Sequence, residues 1–133
     1  MAKPDATESG QSSSGTALLR DQQRALHAYD VVGKVPSSQQ KDYKIAVNNL
    51  GANILRSGLA AAMAEIERLG DRGKLLLEHL AASGVSSLNG TTKDTLPDRV
   101  RKLDVDSYML STREMLKVAM WLKRAAQATF GDD

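Results

Sequence analysis

Few side chains in these 133 residues could do covalent or acid–base chemistry. His27 and His79 are the two histidines, and neither has a second histidine one helical turn away to form a metal-binding pair. Cysteine is absent, which excludes thiolate nucleophiles, disulfides and Cys-type zinc sites and permits a reducing compartment. Glu65, Glu67 and Glu78 fall on polar helix faces, and Asp104 and Asp106 stand at a helix start, where the helix dipole favours negative charge without any catalytic purpose. Gly70-Asp71-Arg72-Gly73 reads as a turn rather than a phosphate loop. No catalytic constellation, cofactor site or metal site emerges.

Cations offer a different chemistry. Lys44, Asn48 and Arg56 are spaced i, i+4 and i+12, with Lys41 one turn earlier. Arg113, Lys117 and Arg124 are spaced i, i+4 and i+11, with Lys123 beside them, and a third cluster is Arg99, Arg101 and Lys102. Like charges on one helix face repel by a few tenths of a kcal/mol, so rows without interleaved carboxylates suit an anionic partner such as a nucleic-acid backbone. A plain solvated face is the competing reading. Trp121 and Tyr108 read as core, so phosphate contact should dominate over base reading. The RNA-binding candidates are Lys41, Lys44, Arg56, Arg113, Lys117, Lys123 and Arg124.

The elements that must position these residues read as helices. Ala and Leu abound, aromatic residues make up 4%, and nothing alternates with period two. The sequence predicts an all-α fold, a single compact bundle of five to seven helices. Residues 1–17, dominated by Ser, Gly, Gln, Asp and Glu, should form a flexible tail, leaving residues 18–133 as the domain.

The first helix should run from Ala17 to Gly33, with Leu19, Leu26, Tyr29 and one of Val31 or Val32 inward. A second should open with the Ser37/Gln40 capping box and bury Tyr43, Val47, Leu50 and Ile54 on one stripe. Gly51 inside it suggests close approach by a neighbour. Beyond the break at Ser57-Gly58, Leu59, Ala62, Met63, Ile66 and Leu69 mark a third helix, and Arg72 to Ser83 a fourth with Leu75, Leu76, Leu77 and Leu80. Val85 to Leu96 reads as a loop, and Pro97 as the first turn of a short helix. Asp104 to Leu110 looks like a helical turn. Ser111 with Glu114 looks like the capping box of a last helix with Met115, Val118, Ala119, Leu122, Ala126 and Thr129 inward. The formal charge of +2 is too small to decide anything by itself, while the lack of a bilayer-length apolar run and of an apolar leader leads to the expectation of a cytoplasmic chain without membrane contact.

Two stretches carry a family resemblance. Tyr43 through Leu69 resembles the Tyr…Leu…Ile-Leu-x-x-Gly-Leu segment of the small helical subunit of type III-B CRISPR effector (Cmr) complexes. The C-terminal stretch is similar to that family's signature at Tyr108, Thr112, Arg113, Glu114, Leu116, Trp121, Leu122, Lys123, Arg124 and Ala126. The resemblance implies a non-catalytic subunit in antiviral defence, stacked beside copies of itself and packed against the backbone and large subunits. Its basic surface would line the groove that holds guide and target RNA. The sister type III-A small subunit, also helical, and a helical DNA-binding regulator using the Gly58 junction are the alternatives.

Overall fold

The computed structural model describes residues 13–131, so most of the expected tail lies outside the described residues. In chain order the elements are α1 (Ser13–Gly33), a 3-10 turn (Ser37–Gln39), α2 (Gln40–Ser57), α3 (Leu59–Arg68), α4 (Asp71–Ala81), a second 3-10 turn (Ser86–Leu88), α5 (Leu96–Arg101) and α6 (Val105–Phe130). Among the described residues there is no strand. The all-helical bundle expected from composition is the fold.

α6 is the organising element. α1 and α2 pack along it, α3 and α4 pack on α2, and α5 sits on α3. α2 and α6 run antiparallel. Lys44 Nζ donates to the Gly131 carbonyl (2.7 Å) at one end, and the Ala60 N–H donates to the Tyr108 hydroxyl (2.9 Å) at the other. The α2 stripe of Tyr43, Val47, Leu50 and Ile54 is buried as its spacing requires, as are Leu59, Ala62, Met63 and Ile66 of α3 and Leu76, Leu77 and Leu80 of α4. Pro97 does stand in the first turn of α5. Gly58 ends α2 at φ 92°, a conformation that favours glycine, and the Tyr108 hydroxyl would lie 3.2 Å from a Cβ added there. The break between α2 and α3 is thus covered by α6.

α1 differs most from expectation. It begins at Ser13 rather than Ala17. Its rotation about its own axis is also different. Leu26 is 72% exposed, and Leu19 and Tyr29 are exposed too, while Ala28 and Val32 are buried. The face turned to the core carries polar side chains that find partners there. Asp21 accepts from Trp121 Nε1 (2.9 Å), and His27 Nε2 lies 3.0 Å from the His79 carbonyl. Burial of polar groups is tolerated when each is hydrogen-bonded, and small Ala28 lets the helices approach.

Other corrections are local. α6 starts at Val105, with the Asp104 carboxylate accepting from the Ser107 N–H (2.8 Å) as its N-cap. Ser111 and Glu114 therefore lie inside the helix and are buried; no capping box forms, because the helix is already nucleated upstream. Thr129 is exposed, while Phe130 in the same turn packs against Tyr43 and Ala125 joins Ala126 on the buried face. The Val85–Leu96 connection is better packed than a plain loop, with Val85, Leu88 and Leu96 all buried.

Glycine roles are exchanged as well. Nothing lies within 4 Å of a Cβ added at Gly51, so no neighbour approaches it. The close approach occurs at Gly73, where a Cβ would collide with the Ile66 carbonyl oxygen and lie 2.9 Å from Ile66 Cγ2.

Candidate nucleic-acid interface

The two basic ridges stand on the outer sides of antiparallel neighbours, α2 and α6. On α2, Lys41 and Arg56 are exposed. Arg56 donates to the Asn53 amide oxygen (2.6 Å), a neutral partner that steadies the guanidinium and leaves its charge uncompensated. Lys44 is half-buried with its ammonium on the Gly131 carbonyl, which ties the ridge to the end of α6. Asn48, also half-buried, has an amide oxygen with no donor among the described residues.

On α6, Arg113, Lys117, Lys123 and Arg124 are exposed and have no carboxylate partner among the described residues. The Arg124 guanidinium stacks 5.3 Å from the centre of the Trp121 ring. That ring is in turn held by its bond to Asp21, so Arg124 is presented in a fixed position. Trp121 and Tyr108 are half-buried packing groups, as their positions implied.

The third cluster behaves otherwise. Arg101 pairs with Glu67 (3.1 Å) and Asp98 (3.8 Å), and Lys102 pairs with Asp98 (2.8 Å). Arg99 reaches only the Ser87 carbonyl, at 3.5 Å. The expectation of an anionic partner at this cluster is corrected, because the protein's own carboxylates already neutralise two of its cations. Glu65 likewise pairs with Arg68 (2.9 Å). These carboxylates act in surface ion pairs.

The histidines belong to the interior. The Tyr43 hydroxyl lies 2.7 Å from His79 Nδ1, with the rings edge to face at 5.3 Å. Burial, reinforced by nearby His27, lowers the His79 pKa to about 4, so the ring is neutral near pH 7. The neutral ring and the Tyr43 hydroxyl share one hydrogen bond. Burial pushes the Tyr43 phenol above its ordinary range. Among the described residues no three His, Asp or Glu side chains gather in a way that could hold a metal ion. Sequence reasoning missed this Tyr–His–His seam because its members lie on three different helices.

Exposed apolar side chains, too, escaped sequence reasoning. Leu19, Leu26 and Tyr29 on α1, Ile45 and Leu55 on α2, and Val105, Met109, Leu110 and Met120 on α6 all face outward. On α6 they share the outer side with the cations.

Residues 20–129 match the family described as CRISPR-associated protein (Cas_Cmr5). The chain belongs to the Cmr5 family. It is thereby a small subunit associated with type III-B CRISPR (Cmr) effector complexes. A crystal structure of a CRISPR-associated Cmr5 family protein from Thermus thermophilus superposes on it with a TM-score of 0.74 at 28% identity, covering 83% of this chain and 96% of that one. No curated protein matches the chain. The Cmr5 assignment agrees with a structural role in a multi-protein assembly, and no helix among the described residues is long and apolar enough to cross a membrane.

Proposed function

We propose that this Cmr5 protein lines the groove for guide and target RNA in a type III-B effector complex and bridges neighbouring subunits, without catalysing a reaction itself. The observation that carries the reading is the set of exposed cations on α2 and α6: Lys41, Arg56, Arg113, Lys117, Lys123 and Arg124 have no carboxylate within ion-pairing distance among the described residues. Lys44 extends the α2 row. Fixed cations beside a phosphate backbone release condensed counterions and bind without reading sequence, which leaves specificity to guide–target pairing.

The bridging role rests on the apolar side chains that face solvent. Leu19 and Leu26 repeat at i, i+7 on α1, and Met109, Leu110 and Met120 stand among the α6 cations. Exposed apolar side chains of this kind suit contact with the backbone subunits, the large subunit and further copies of this chain. The work would be done in the cytoplasm as part of antiviral defence.

Crosslinking in the assembled complex tests the proposal. Ultraviolet irradiation of the complex loaded with guide and target RNA should attach nucleotides to peptides of α2 and α6. Adducts confined to α5, or absent from this subunit altogether, would contradict it.

A further inference from the structure

Between the start of α2 and the end of α6 lies a groove of about 620 Å³, the size class of a small-ligand site. Its wall combines three chemistries. Lys41 and Lys44 supply positive charge, Ile45 and Phe130 supply apolar surface, and Gln40 and Asn48 supply side-chain amides. Ile45 is 53% exposed, an unusual exposure for an isoleucine at the head of a well-packed helix. The Phe130 ring is half-buried and held edge-on to Tyr43 at 6.2 Å, so it forms a rigid wall.

Phosphates alone would use the two lysines and nothing else. The ring wall and the exposed isoleucine suit a planar ring, linked to an anion that meets the lysine charge. We infer that this groove takes one unpaired nucleotide of a bound RNA strand. Its phosphate lies on Lys41, its base lies on Ile45 and Phe130, and its polar edge turns to the side-chain amides of Gln40 and Asn48. The inference rests on the RNA reading above and adds that the α2 end of the basic surface prefers single-stranded nucleotides. A duplex keeps its bases stacked inside and offers this groove only phosphate.

Fluorescence anisotropy with the full chain separates the two readings. The probes are a labelled single-stranded RNA, the same strand annealed to its complement, and free uridine and adenosine monophosphates as competitors. The protein should bind the single strand more tightly than the duplex. Ile45→Ala, Asn48→Ala and Phe130→Leu change no charge, and combined they should weaken single-strand binding about fivefold or more, in the range of lost base stacking. Duplex affinity and the salt slope should stay as they were, and the melting temperature of each variant checks the fold.

Duplex bound as tightly as single strand overturns the inference. So does unchanged single-strand binding by the neutral variants, even where Lys41→Glu weakens it; that pattern leaves the phosphate reading standing. Competition by a free monophosphate at concentrations comparable to the RNA overturns it as well, since the groove would then be a free-nucleotide site. No RNA binding by the unmodified chain would remove the broader reading along with this one.

Discussion

Polar groups in this protein fall into two populations, one inside the bundle and at its α5 edge, the other along the outer sides of α2 and α6. In the first, nearly every group meets another of its own chain. Asp21 holds Trp121, Tyr43 holds His79, the Glu114 carboxylate takes the Ser86 N–H (3.3 Å) and Arg20 (3.5 Å), and Arg101 holds Glu67. In the second, Arg113, Lys117 and Lys123 meet no carboxylate among the described residues, and Arg56 meets only a neutral amide. The difference separates groups that complete the fold from groups left available to a partner. Changes in the first region should move stability, and changes in the second should move RNA binding.

The largest expected effect lies on the inner side of α6. Leu122 is fully buried, and Leu122→Ala should cost about 2–5 kcal/mol through lost burial and a residual cavity. Denaturant unfolding measures it. A cost below about 1 kcal/mol would mean that the two sides of α6 do not differ as described.

Acid should act next, and between pH 6.5 and 4 it should act through the interior. His79 has a folded-state pKa of about 4 against an ordinary 6.5, so the unfolded chain binds its proton first. Well above pH 6.5 the ring is neutral in both states and its titration no longer changes stability. As pH falls from 6.5 towards 4 the unfolded state gains the proton and stability drops, by roughly 3 kcal/mol in all. His79→Gln, which keeps a hydrogen-bond partner for Tyr43, should flatten that part of the stability–pH curve. Identical pH dependence in the two proteins would show that the seam does not keep the ring neutral.

Gly51→Ala should stabilise the protein by about 0.5–1 kcal/mol, since the helix gains propensity and the added methyl meets nothing within 4 Å. RNA affinity should be unchanged. The smallest effect belongs to the α5 edge, where Arg101→Glu should cost at most about 1 kcal/mol of stability, the range of a surface ion pair. Its RNA binding should stay close to that of the unaltered chain. A large loss of RNA binding there would erase the contrast with the ridges.

Helix positions were legible in the sequence wherever buried apolar residues recur at helical spacing without interruption, as on α2, α3 and α4. α1 was not, because its inward face mixes Ala28 and Val32 with Asp21 and His27, whose partners are far away in the chain. Local chemistry also misled at Ser111 and Glu114, where capping-box spacing occurs in mid-helix. The basic ridges were legible as residues but not as free charge. Nothing near Arg101 in sequence shows that Glu67, 34 residues away, will neutralise it. The family resemblance was legible because its signature residues include the ones that fix α6 against its neighbours, Tyr108, Glu114, Trp121 and Leu122.

The central claim is tested most directly by the salt dependence of RNA binding. Affinity for a single-stranded RNA would be measured from low to moderate salt for the unaltered chain, for Arg113→Glu with Lys117→Glu, and for Arg101→Glu with Lys102→Glu. The ridge variant should lose affinity and its log–log slope should fall by about 0.7 for each phosphate contact removed, while the α5 variant keeps the original slope. Equal slopes for all three proteins would contradict the account.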